Sequence, residues 1–138
     1  MNHNNKANFR SAKVLLVDDD KQLVLALSTR LGEIGCRCVG CSNASEAMVQ
    51  FAAGGFDLVI TDMAMPGIDG LSIVAMIRSQ SEIPILVMTG RSAQYGPLIA
   101  GYRNVKLIRK PLEPLALIAS VRSCLPGKLA PEVELKCG

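Results

Sequence analysis

The sequence predicts an α/β fold with a parallel five-stranded sheet. Three observations carry that expectation. Short apolar runs recur along the chain, as in strands covered on both faces. Segments with helical apolar spacing lie between them, which implies right-handed crossovers in a parallel sheet. Residues able to do chemistry cluster at the carboxyl ends of the runs, where such sheets bind ligands.

The elements follow in order. Residues 1–11 read as a loose leader. K-V-L-L-V-D (13–18) is the first strand. Asp20 reads as the cap that starts the first helix, Leu23, Leu27, Leu31 and Ile34 mark it, and Gly35 gives it a stop. Residues 36–41, C-R-C-V-G-C, form a poorer second strand. N-A-S-E (43–46) is a variant capping box opening a helix to about Ala53. D-L-V-I-T-D (57–62) is a clear strand. M-A-M-P-G-I-D-G turns the chain, with Asp69 as N-cap of a helix carrying Leu71, Val74 and Ile77. I-P-I-L-V-M-T (83–89) is the fourth strand. Gly96, Pro97 and Gly101 oppose a helix over 91–103, so a short or irregular one is expected. V-K-L-I-R (105–109) is the fifth strand. Leu115, Ile118, Val121 and Leu125 mark the final helix, and residues 126–138 read as a tail or the start of a linker.

The 138 residues suit one domain. With 49% apolar and 4% aromatic residues, the core is Leu, Ile, Val, Ala and Met. The net charge is +3, and basic residues are adjacent only at Arg109-Lys110, too dispersed to predict nucleic-acid binding. No apolar run approaches the ~20 residues of a membrane span, so a soluble, cytoplasmic chain is expected. The three cysteines of C-R-C-V-G-C do not have the spacing of a structural zinc site and read as small hydrophobes. His3 is the only histidine, which excludes His-based triads.

The first strand ends in Asp18-Asp19, the third in Asp62, the fourth in Thr89 and the fifth in Lys110. The second ends in nothing chemical. Three acids, a hydroxyl and an ammonium at one end of a sheet suit phosphoryl transfer to a carboxylate. Oxygen donors suit Mg²⁺, or Mn²⁺ in its place. Asp62 is the candidate nucleophile, Thr89 a donor to a phosphoryl oxygen, and Lys110 its partner in charge.

The motifs V-L-L-V-D-D-D, D-M-A-M-P-G-I-D-G, V-M-T-G and K-P resemble those of the response-regulator receiver domains of two-component signalling. The resemblance covers about residues 12–125. It implies a flavodoxin-like, doubly wound sheet of order 2-1-3-4-5, a fold for which a receiver is a standard example. It implies Asp62 as phosphoacceptor, Asp18 and Asp19 as the acid pair for Mg²⁺ with Asp19 the more direct ligand, and the Ala64 carbonyl as a further ligand. It also implies Thr89 as switch hydroxyl, Lys110 as the essential lysine, and a cis Lys110-Pro111 bond. Pro66, Gly67 and Gly70 match the tight loop under the acceptor. A sensor histidine kinase or phosphotransfer protein is the implied partner, with an unidentified downstream target. A homodimer through the face of the fourth helix, fifth strand and fifth helix is a further possibility.

Two departures matter. Receivers usually carry Tyr or Phe three residues before the lysine, and this chain has Leu107, so Tyr95 and Tyr102 are candidate substitutes. The positions tuning phosphoryl lifetime are Ala64 and Arg91, which together imply slow self-dephosphorylation. Two other readings stand: a phosphorylation-independent pseudo-receiver, and a phosphotransferase of the haloacid dehalogenase type. The latter needs D-x-D-x-T/V; Asp18 and Asp20 match, but Gln22 holds the last position.

Overall fold

The computed structural model describes residues 11–64 and 70–129. Five strands, β1 (Ala12–Val17), β2 (Cys36–Cys41), β3 (Leu58–Asp62), β4 (Ile85–Thr89) and β5 (Val105–Arg109), form one parallel sheet in the order β2-β1-β3-β4-β5. Five helices connect and follow them: α1 (Lys21–Glu33), α2 (Ala44–Ala53), α3 (Gly70–Arg78), α4 (Ser92–Ile99) and α5 (Pro114–Cys124). The expected fold class and strand order are both present.

The sheet is covered on both faces, which is why its central strands are apolar without alternation. Every residue of β3 and β4 is buried. On one side Val14, Leu16, Ile60 and Met88 pack with Leu27 and Leu31 of α1 and Leu117 and Val121 of α5. On the other, Leu15, Val17, Val59 and Val87 pack with Ala47 of α2, Ile73, Val74 and Ile77 of α3, and Ile99 of α4. Ile60 is fully buried at the centre. Ile60→Ala is expected to lower unfolding stability by about 2–5 kcal/mol, from lost burial plus a residual cavity, with the denaturant midpoint as the measure.

The helix starts follow the predicted chemistry. The Asp20 carboxylate accepts from the backbone N–H of Gln22 and Leu23 and opens α1. Asn43 accepts from the Glu46 N–H at 2.8 Å, and Glu46 reaches back to the Ser42 N–H at 3.1 Å. The capping box is therefore shifted by one residue on its return arm. Asp69, Pro66 and Gly67 lie outside the described residues.

Some boundaries differ from expectation. β1 stops at Val17, leaving Asp18 just beyond the strand. β3 starts at Leu58, because Asp57 is used otherwise: its carboxylate accepts from the Lys13 N–H and pairs with Lys128 at 2.8 Å. That pair, with buried Leu129, folds the first residues after α5 back onto the base of the sheet. Ile83 and Pro84 precede β4 because Arg78 holds this approach in place. Its guanidinium donates to the carbonyls of Ser81 (2.6 Å), Ile83 (2.8 Å) and Asn104 (3.3 Å). The fourth helix is short, as expected: α4 has 8 residues with Pro97 inside it, and the Ala100 N–H closes its end on the Gly96 carbonyl. Leu115 is 77% exposed, since α5 turns Leu117 and Val121 inward instead. Among the described residues, no helix is long and apolar enough to cross a membrane.

Candidate functional site: an acidic cluster at the carboxyl end of the sheet

The strand order puts the ends of β1, β3, β4 and β5 side by side. Asp18, Asp19 and Asp62 come together there, each offering a carboxylate oxygen within 4.8 Å of the others. Asp18 and Asp62 are buried, at 1% and 5% exposure, and Asp19 is exposed. Asp18 is fixed at both ends. Its N–H donates to the Cys41 carbonyl at 3.0 Å, and its Oδ1 accepts from the Asp20 N–H at 2.9 Å. The end of β2, unremarkable in sequence, thus supports the acid pair through backbone alone.

Lys110 spans the cluster. Its Nζ lies 3.3 Å from Asp18 Oδ2 and 3.2 Å from Asp62 Oδ2. Its N–H donates to the Thr89 carbonyl at 2.8 Å, and the Lys110-Pro111 bond is cis. Burial pulls the lysine down, but the charges of Asp18 and Asp62 outweigh it and leave Lys110 above its ordinary value. Burial pushes the Asp18 carboxyl up, opposed by the Asp20 N–H; the neighbouring Asp62 charge adds to the rise, and Lys110 opposes it. Asp62 Oδ1 accepts a long bond from the Ala64 N–H at 3.3 Å.

Thr89 is buried, and its Oγ1 accepts from the Arg91 N–H at 2.9 Å. The hydroxyl therefore sits directly against the first turn of α4. Next to Asp62, the Gly70 N–H donates to the Met63 carbonyl at 2.9 Å. Leu107 is half-buried and packs in the same cluster as Tyr95 and Tyr102.

A profile of the response regulator receiver domain matches residues 14–122. The chain belongs to this family. A probable transcriptional regulator ycf27 of Cyanidium caldarium is 38% identical over 85 residues, covering 62% of this chain and 34% of the relative. Its namesake from Porphyra purpurea is 31% identical over 118 residues, covering 82% and 47%. The receiver thus spans less than half the length of these two relatives. Among solved structures, the chemotaxis response regulator CheY4 of Vibrio cholerae superposes with a TM-score of 0.73 at 28% identity, covering 83% of this receiver and 98% of that chain. The receiver domain of an HD domain-containing protein from Pseudomonas fluorescens, at 22% identity and TM-score 0.77 over 86% and 90%, shares the fold.

The dehalogenase-type reading loses its footing here. Its D-x-D motif needs Asp18 and Asp20 in one site, but the Asp20 carboxylate is spent on the N-terminus of α1.

The cysteines of β2 behave as core residues. Burial, with the neighbouring Cys38, pushes the Cys36 thiol up to about 12; burial, with Glu46, pushes Cys41 up to about 11. In the native receiver neither is expected to react with a maleimide at pH 8, because the thiolate is the nucleophile. Peptide mass mapping should find label there only after unfolding.

Proposed function

We propose that this receiver takes a phosphoryl group from the phosphohistidine of a sensor kinase or phosphotransfer protein onto Asp62, in a reaction dependent on Mg²⁺ or Mn²⁺. The observation that carries the proposal is Lys110 held between Asp18 and Asp62 at the mouth of the sheet. An Asp62 carboxylate oxygen attacks phosphorus in line. The P–N bond breaks, its electron pair returns to the imidazole, and an acyl phosphate forms. Lys110 pairs with a phosphoryl oxygen as charge builds, and Thr89 donates its hydroxyl to another.

The residues fit a hard divalent cation. The donors are all oxygen, and the Lys110 ammonium pairs with Asp18 and Asp62, two of the three carboxylates in the cluster. Asp19, Asp18, Asp62 and the Ala64 carbonyl are the groups that would hold it, and the ion would supply charge neutralisation for the acids and the phosphoryl oxygens. The phosphorylated state then biases the loop and helix beside Thr89 toward an output conformation. With Leu107 in place of an aromatic, that output works through α4 and the tyrosines beside it.

Intact mass after treatment with a small acyl or amido phosphate and Mg²⁺ tests the reading. One added phosphoryl group, absent under chelation, is expected; an unmodified wild-type chain would refute it. The same sample tests lifetime. Ala64 has no polar group to position an attacking water, and Arg91 is exposed beside Thr89. The modified form should outlast a time course of seconds, and decay within seconds would count against this assignment of the two positions.

A further inference from the structure

Gly40 stands in the edge strand β2, opposite Leu16 of β1. A glycine weakens a strand, and two reasons commonly keep one there: a left-handed backbone, or a close approach by another group. The first does not apply, because Gly40 has no positive φ. The second does. A Cβ at Gly40 would lie 2.6 Å from Val24 Cγ1 of α1, closer than real Cβ atoms come. Val24 is half-buried against the core on this side of the sheet. Its branched side chain is stiff in a helix, so it cannot simply turn aside.

The contact closes a ring that contains Asp18. Cys41, next to Gly40, gives its carbonyl to the Asp18 N–H at 3.0 Å. Asp18 Oδ1 accepts from the Asp20 N–H at 2.9 Å. The Asp20 carbonyl accepts from the Val24 N–H at 3.0 Å. The Val24 side chain then returns to Gly40. A displacement at Gly40 therefore reaches Asp18 by two short routes, one along β2 and one through the first turn of α1.

We propose that Gly40 and Val24 are positioning residues for the acid pair. The bare strand lets α1 seat against β2, and that seating fixes the turn carrying Asp18 and Asp19. The proposal rests on the metal reading above, in which these two carboxylates hold a divalent ion. Groups that support metal ligands typically cost roughly 10–100-fold in affinity when disturbed. Packing alone would give a different result: lost stability, with the metal affinity of the folded chain unchanged.

The test uses the full chain and two readouts, one of them metal-free. In Gly40→Ala, hydrogen exchange at the Asp18 and Asp20 amides should quicken at least about tenfold relative to the amides of β3 and β4. In an Mg²⁺ titration followed by amide shifts, its Kd should rise about tenfold. Val24→Ala, added to Gly40→Ala, removes the colliding methyl and should restore both values. Ile77→Ala, which weakens the core on α3, should move neither. If Gly40→Ala does not fold, Val24→Ala alone opens the ring from the other side and should move both readouts in the same direction. The proposal is overturned by unchanged relative exchange, by unchanged Mg²⁺ affinity, by failure of Val24→Ala to restore either, or by equal changes in Ile77→Ala. A wild type without Mg²⁺-dependent shifts at the cluster refutes the metal reading instead, and the metal-free exchange then decides the ring by itself.

Discussion

Asp62→Asn is expected to abolish phosphoryl uptake and, at the same time, to make the metal-free protein more stable. The first effect follows from the chemistry. An amide oxygen of the same shape is too weak a nucleophile to form the acyl phosphate, and no other carboxylate of the cluster stands at the end of β3. Intact mass should show no adduct under conditions that modify the wild type. The second follows from the crowding of Asp18, Asp19 and Asp62 within 4.8 Å. Removing one charge beside buried Asp18 relieves a repulsion of about 4 kcal/mol at an effective dielectric of ~20, offset in part by the lost pairing with Lys110, and the balance is read as a higher denaturant midpoint at neutral pH. The pH dependence has a definite sign. A carboxyl whose pKa rises on folding holds its proton more tightly in the folded state. Its contribution is therefore fully present below the ordinary value of 3.8 and is lost as pH rises through the folded value. The metal-free protein should weaken over that interval, and Asp18→Asn should remove this component. Divalent metal should raise the midpoint of the wild type more than that of Asp62→Asn, by mass action on a site the variant lacks in part.

Gly70→Ala carries the second large effect. A Cβ at this position would lie 2.5 Å from the Asp62 carbonyl oxygen and 2.7 Å from the Met63 Cα, closer than real Cβ atoms come. Both neighbours are backbone, so nothing flexible can yield. Either the end of β3 or the start of α3 must move. The expected loss of stability is about 1–3 kcal/mol, as for other overpacked positions. The functional loss is larger than that figure suggests, because the displaced atom belongs to Asp62, the proposed phosphoacceptor. A misplacement of ~1 Å costs on the order of 100-fold in rate. Initial rates of phosphorylation at saturating Mg²⁺, set beside the denaturant midpoint, separate the two. A normal rate in a folded Gly70→Ala protein would refute the assignment.

Much of this was legible in the chain. Continuous apolar runs marked the strands, and carboxylates, a threonine and a lysine at their ends marked the site. Asp20 and Asn43 announced their helices. Other features were not legible, for definite reasons. Asp57 read as part of a strand because its partner, Lys128, is 71 residues away. Leu115 read as core because a helix with Leu115, Leu117, Ile118 and Val121 offers two plausible apolar stripes, and only packing chooses between them. The contribution of Cys41 to the site is a carbonyl, which no side-chain pattern encodes.

The grip of Arg78 on Ser81, Ile83 and Asn104 bears on how a signal would travel. It ties together the approaches to β4 and β5 at the end of the sheet remote from Asp62. At the other end the Lys110 N–H ties β5 to the Thr89 carbonyl of β4, while the Lys110 side chain reaches Asp18 and Asp62 at the ends of β1 and β3. The two knots differ in kind. One is made of backbone carbonyls that phosphoryl chemistry never touches; the other includes the very ammonium a phosphoryl group would recruit. If a phosphoryl group recruits Lys110, the contacts that change are those at the carboxyl end of β5, the strand on which α4 packs.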